Sequence, residues 1–93
     1  MPAKLRTIIR DPQFEEELKQ LIFHARRADE FVEAVEFLLA RDPERGLQAR
    51  PGSPVWTIPV QNVVDVTPVI IYYTFNEEKV ILLSIQETIP PEE

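Results

Sequence analysis

The sequence predicts an α+β domain: a short N-terminal strand, a helical hairpin, then an antiparallel sheet of three to four strands packed on the helices. Three observations carry this. Two consecutive stretches in the first half place apolar residues at helical spacing, with a short polar segment between them. Asp-Pro pairs punctuate these stretches, Asp11-Pro12 at the start of the first and Asp42-Pro43 at the end of the second. The second half is rich in β-branched and aromatic residues, with clear runs at 69–75 and 80–85 around Asn76-Glu77-Glu78.

Each element has a local reason. Residues 5–10 alternate loosely and suit a short strand. Asp11 is a good N-cap, Pro12 suits the first helical position, and Glu15, Glu16 and Glu17 complement the positive end of the helix dipole. Phe14, Leu18, Leu21, Ile22 and Ala25 form one stripe, and the helix is expected to end near Arg26-Arg27. Asp29 is expected to cap the second helix. Its inner stripe is Phe31, Val35, Leu38 and Leu39, flanked by Val32 and Ala34, with Glu30, Glu33, Glu36 and Arg41 mostly off it. Gly46 gives a turn. Pro51, Gly52, Ser53 and Pro54 give another, before a strand at 55–60. Pro59 cannot donate to a ladder, so that strand should lie at an edge or bend. Residues 61–68 read as strand or loop, and Asn76 suits a hairpin turn because it tolerates the left-handed conformation.

At 93 residues the chain is expected to form one domain, 1–93, with a frayed tail at 88–93. It has no cysteine, which excludes disulfides, thiolate metal sites and a cysteine nucleophile. His24 is the single histidine, and with no partner acid or nucleophile at a telling spacing it reads as a helix-end residue. Gly46 and Gly52 are the two glycines, too few for a phosphate-binding loop. No cofactor and no metal are expected. No apolar run reaches the roughly 18 residues of a membrane span, and no signal-peptide pattern opens the chain, so the expected location is the cytoplasm.

Charge is unevenly placed. The net charge is −6. Residues 1–50 carry nine basic and ten acidic side chains, whereas 51–93 carry Lys79 alone against six acids. An acidic sheet half disfavours nucleic acid and anionic membrane. Arg41, Arg45 and Arg50 form an alternative basic patch, read against a solvated helical face with glutamate partners. Glu77, Glu78, Glu87 and Asp65 offer carboxylates, of which Glu77 and Glu78 belong to a turn and are expected to be solvated. Trp56 reads as a core anchor.

The last hairpin is apolar on both faces. Val69, Ile71, Tyr73 and Phe75 alternate with Ile70, Tyr72 and Thr74, and Ile81, Leu83 and Ile85 alternate with Val80, Leu82 and Ser84. Two helices cover one face of so small a sheet. The other, assigned as Ile70, Tyr72, Val80 and Leu82, is expected to bind a partner or a second copy, unless the 61–68 segment folds over it.

The order of elements resembles the RelE/ParE superfamily of toxin–antitoxin toxins. The residues behind this are 31–39 with Asp42-Pro43-Glu44-Arg45-Gly46, Trp56-Thr57-Ile58, and above all Val69-Ile70-Ile71-Tyr72-Tyr73-Thr74-Phe75 with Asn76 to Ile85. The resemblance covers nearly the whole chain through patterns of apolar residues and turns. It implies ribosome-dependent messenger-RNA cleavage in one branch and gyrase poisoning in the other, with an antitoxin segment wrapping the toxin. The nucleases commonly place an Arg at the head of the penultimate strand and a Lys, His or Tyr after the last. Here those places hold Thr67-Pro68-Val69 and Gln86-Glu87-Thr88-Ile89-Pro90-Pro91, so no catalytic residue carries over. The expected function is a toxin-like component acting through protein binding, with an antitoxin-like protein or itself as partner. The alternatives are an endoribonuclease using Arg41, Arg45 and Arg50, or a homodimerising domain without toxin activity. An antitoxin segment crossing 51–93 should be neutral or basic.

Overall fold

The structure is a computed structural model and describes residues 5–22, 28–60 and 69–87. Its elements in chain order are β1 (Thr7–Arg10), α1 (Pro12–Ile22), α2 (Ala28–Arg41), a 3-10 turn (Pro43–Arg45), β2 (Leu47–Gln48), β3 (Trp56–Val60), β4 (Val69–Phe75) and β5 (Lys79–Glu87). The architecture is α+β, as the sequence predicts. The positions of His24, Arg26, Arg27 and Asp65, the 61–68 segment and the 88–93 tail lie outside the described residues.

Local chemistry sets the boundaries. The Asp11 carboxylate accepts from the Gln13 amide at 2.9 Å, so α1 opens on a side-chain cap with Pro12 first. α2 begins at Ala28, one residue before the expected cap Asp29, and ends at Arg41, ahead of Asp42-Pro43. The hairpin between β4 and β5 turns on the Asn76 side chain, whose Oδ1 accepts from the Glu78 amide at 2.8 Å and the Lys79 amide at 2.9 Å.

The strands form one sheet ordered β1-β5-β4-β3-β2. β1 runs parallel to β5, and every other pair is antiparallel. A parallel neighbour needs a crossover, and α1 and α2 lie on the path that supplies it. β2 pairs only with Trp56 and Thr57, so Pro59 lies beyond its end, paired with Ile70 on one side alone. Its missing N–H therefore breaks no ladder.

The core lies between the helices and one sheet face. Phe14, Leu18 and Leu21 of α1 and Val32 and Leu39 of α2 meet Ile58, Val69, Ile71, Tyr73, Val80, Leu82 and Ile85. Trp56 packs on its margin, edge-on to Phe75 with ring centroids 5.4 Å apart.

The pairing corrects one expectation. Val80 and Leu82 are fully buried and belong to the helix-facing side, not the open one. Val80 is opposite Phe75 and Leu82 opposite Tyr73. Alternation within each strand shows two faces, but the turn at 76–78 sets which face of β5 matches which face of β4. The register then shifts between Tyr72 and Tyr73, so that Ile71 meets Ile85, and Ser84 and Ile85 are both buried.

Candidate functional site

The outer sheet face follows from that register. Ile70 and Tyr72 of β4 alternate with buried Ile71 and Tyr73, and Ile81 and Leu83 alternate with buried Val80 and Leu82. All four are half-buried and turn away from the helices. Ile9, 40% exposed, pairs with Ile81 and extends the strip onto β1. Thr57 and Pro59 extend it opposite Tyr72 and Ile70. Lys79, at the hairpin end, is the one cation among the described residues of this face. Of the four residues expected to bind a partner, the structure keeps Ile70 and Tyr72 here and replaces Val80 and Leu82 with Ile81 and Leu83. A surface of this kind offers apolar area and hydroxyls, and a single charge with which to meet phosphate.

Tyr73, next to Tyr72, has the opposite fate. Its hydroxyl donates to the Pro43 carbonyl at 2.6 Å and accepts from the Gly46 amide at 3.2 Å, both in the interior. Burial pushes this phenol above its ordinary pKa, the Gly46 amide opposes the shift, and the Asp42 charge adds to it. Tyr73 is thus a neutral structural clamp between β4 and the loop after α2.

A second surface lies on the helical side. Ala34, Phe37, Leu38, Arg41, Asp42 and Arg45 line a groove of about 490 Å³ at the C-terminal end of α2. Phe37 is 59% exposed, and the Arg41 guanidinium lies 5.7 Å over its ring. Of the three arginines in the expected basic patch, Arg41 and Arg45 meet here. Arg50 sits apart in the exposed turn after β2 and is not in the groove lining.

Sequence reasoning passed over three residues. Phe37 is an aromatic off the inner helical stripe, which is the signal that could have found it. Glu36, placed mostly off the inner stripe of α2, forms a two-point pair with Arg10, with Nε to Oε2 at 2.7 Å and Nη2 to Oε1 at 3.0 Å. That hydrogen bond holds the Arg10 guanidinium protonated beyond its usual range. Glu17, read as a dipole partner, accepts from Ser84 Oγ at 2.7 Å and the Ile85 amide at 3.1 Å, where β5 leaves register. Among the described residues no group of three or more His, Asp or Glu is placed to hold a metal ion. Among them, too, no helix is long and apolar enough to cross a membrane.

Two helices on one face of a five-stranded sheet with a parallel β1–β5 edge make a RelE-like fold. The likeness is to the crystal structure of the toxin–antitoxin complex RelBE2 from Mycobacterium tuberculosis, with a TM-score of 0.69 over 94% of this chain and 95% of that one, at 19% identity. At that identity the likeness concerns the fold. No family profile matches the sequence. No curated protein matches it either.

Proposed function

We propose that this chain is a toxin-like component of a toxin–antitoxin pair that acts by binding protein and has lost nuclease chemistry. One observation carries the reading. The outer sheet face is apolar, built from Ile9, Ile70, Tyr72, Ile81 and Leu83, with Lys79 as its single described cation. Transfer of a phosphoryl group needs donors or cations aimed at the charge that develops on phosphate, and a group of suitable pKa to move protons. Tyr72 has no cation within its strand pairing, being opposite Thr57 and Ser84. The head of β4 is Val69, a core residue. An apolar strip with a polar margin suits a protein partner instead. The RelE-like fold supports an antitoxin-like chain as that partner, since the similar structure is a toxin–antitoxin complex.

Induced expression in a growing bacterium tests the proposal. The expected result is intact messenger RNA and continuing translation, whether or not growth stops. Messenger cleavage that disappears on joint substitution of Arg41, Arg45 and Arg50 by alanine would establish the endoribonuclease reading in its place.

A further inference from the structure

We infer that the open edge of β1, together with the flank of α2 above it, is a self-association surface whose occupant is a second copy of this chain, related by a two-fold axis. The dimer goes beyond the protein-binding reading above and leaves the face of Ile70 and Tyr72 free.

The strand supplies the first half of the surface. β1 is an outermost strand, paired with β5 on one side. The Thr7 amide donates to the Glu78 carbonyl at 3.0 Å, and the Asp11 amide to the Leu82 carbonyl at 2.9 Å. Alternation then turns the N–H and C=O groups of Ile8 and Arg10 to the open side. Exposed edges are commonly guarded by charged side chains. Here both arginines of the edge are held inward, Arg10 on Glu36 and Arg6 on the Asn76 carbonyl at 2.7 Å. Of the large apolar side chains exposed among the described residues, Leu5 and Ile9 belong to this edge, and α2 brings a third, Phe37.

The helix supplies the other half. Glu36 pairs with Arg10, and the Ala40 carbonyl accepts from the Arg6 amide at 2.9 Å, so α2 runs over β1 in the opposite direction. Phe37 follows Glu36 by one residue, as Ile9 precedes Arg10 by one, which sets Phe37 at the level of Ile9. At about 100° per residue, Glu33, Phe37 and Arg41 form a ridge one step round from Glu36 and Ala40. Glu33 is close enough to Arg10 to act on its charge, and the Arg41 guanidinium lies over the Phe37 ring. The ridge therefore flanks the open edge.

Both halves are self-complementary about the same level. In an antiparallel pairing centred on Ile9, Ile8 and Arg10 of each copy exchange backbone hydrogen bonds with Arg10 and Ile8 of the other. Ile9 meets Ile9 as a non-hydrogen-bonded pair, where side chains lie closest. The strip of Ile81 and Ile9 then runs on into Ile9 and Ile81 of the second copy. The same axis sets the two α2 helices antiparallel, with Phe37 against Phe37 and each Glu33 against the other copy's Arg41. Spacing permits this. α2 packs on both β1 and β5, so its axis lies about one strand spacing from the two-fold, and the two helices lie about 10 Å apart, at packing distance.

The order of charges selects the occupant, not their sum. Arg41 and Arg45 are balanced by Asp42 and Glu44, so no net sign draws a charged partner to the end of α2. Acid, aromatic and base at i, i+4 and i+8 instead match their own order reversed. A foreign strand would complete the ladder and leave the ridge unmatched. A second copy satisfies both.

The test is sedimentation equilibrium of the full chain from about 10 μM to about 1 mM, the range of weak dimers. A monomer–dimer equilibrium is expected. Phe37→Ala and Ile9→Lys should each weaken it at least about tenfold. Glu33→Arg alone and Arg41→Glu alone set like charges across the axis and should each weaken it at least about fivefold. An equimolar mixture of these two variants should restore the dimer, because every Arg then meets a Glu. All four side chains are exposed, and unchanged circular dichroism confirms the fold of each variant.

A monomer up to about 1 mM would overturn the inference. If the Ile8 and Arg10 amides of that monomer shift on adding an alternating threonine–valine peptide, the edge belongs to a foreign strand. A dimer lost with Tyr72→Ala and kept with Ile9→Lys would overturn it in favour of the sheet face. A dimer indifferent to the single charge swaps, or not restored by their mixture, would overturn it too. None of these outcomes depends on messenger cleavage, which is where the functional proposal itself would fail.

Discussion

The amide of Gly46 donates to the hydroxyl of Tyr73 at 3.2 Å, joining the loop after α2 to the middle of β4. A Cβ on Gly46 would overlap both that hydroxyl and the carbonyl oxygen of Thr57. The glycine is required by this close approach and not by its backbone angles, since its φ is −83°. Gly52 is the reverse case, with φ of 80° and open space around it.

The two glycines should therefore respond differently to alanine. Gly52→Ala should cost about 1 kcal/mol, the expense of a left-handed residue with a side chain. Gly46→Ala should cost about 2–3 kcal/mol, because strand β3 must move to admit it. Urea unfolding of the two variants checks the order.

Tyr73→Phe should destabilise the fold by about 1–3 kcal/mol through loss of both hydroxyl contacts. Its pH dependence follows from the raised phenol pKa. A group protonated more tightly in the folded state contributes fully below its unfolded pKa, near 10, and loses that contribution as pH rises through the folded value. The gap between wild type and Tyr73→Phe should therefore narrow above about pH 10. Denaturant midpoints at neutral and alkaline pH measure it.

Glu17 should hold the end of β5. Glu17→Ala leaves the Ile85 amide and Ser84 hydroxyl without their acceptor and should cost about 1–2 kcal/mol. Glu17→Gln keeps one acceptor oxygen and should recover part of this. Hydrogen exchange at Ile85 should quicken in the alanine variant and less so in the glutamine one.

The Arg10–Glu36 pair joins β1 to α2 with side chains 29% and 15% exposed. A double-mutant cycle with Arg10→Met and Glu36→Gln should give a coupling of about 1 kcal/mol. The coupling should shrink as salt is added.

Much of this architecture was legible from local chemistry. Asp11-Pro12 announced α1, Asp42-Pro43 ended α2, and the β-branched runs marked β4 and β5. Pro59 suggested an edge or bent strand, whereas β3 lies inside the sheet between β4 and β2, and only the Pro59 position itself lies beyond the end of β2. What was not legible depended on relations between elements. Whether Val80 faces Phe75 or the other side is decided by the turn around Asn76, which alternation within a strand cannot register. The return of Ile85 to the core depends on a one-residue irregularity that Glu17 satisfies from another element. β2 is two residues long, too short to carry a pattern. At the candidate site, Ile70 and Tyr72 were legible as an apolar pair. Phe37 was legible only from its place off the inner stripe of α2, a signal easily outweighed because an aromatic on a helix ordinarily reads as core.

The central claim is that this RelE-like fold binds protein and does not cleave RNA. The most direct measurement adds the purified chain to a cell-free bacterial translation reaction and maps the messenger 3′ and 5′ ends. The account predicts full-length messenger and undiminished protein synthesis. Fragments that appear only when ribosomes are translating, and vanish when Arg41, Arg45 and Arg50 are replaced by alanine, would contradict it.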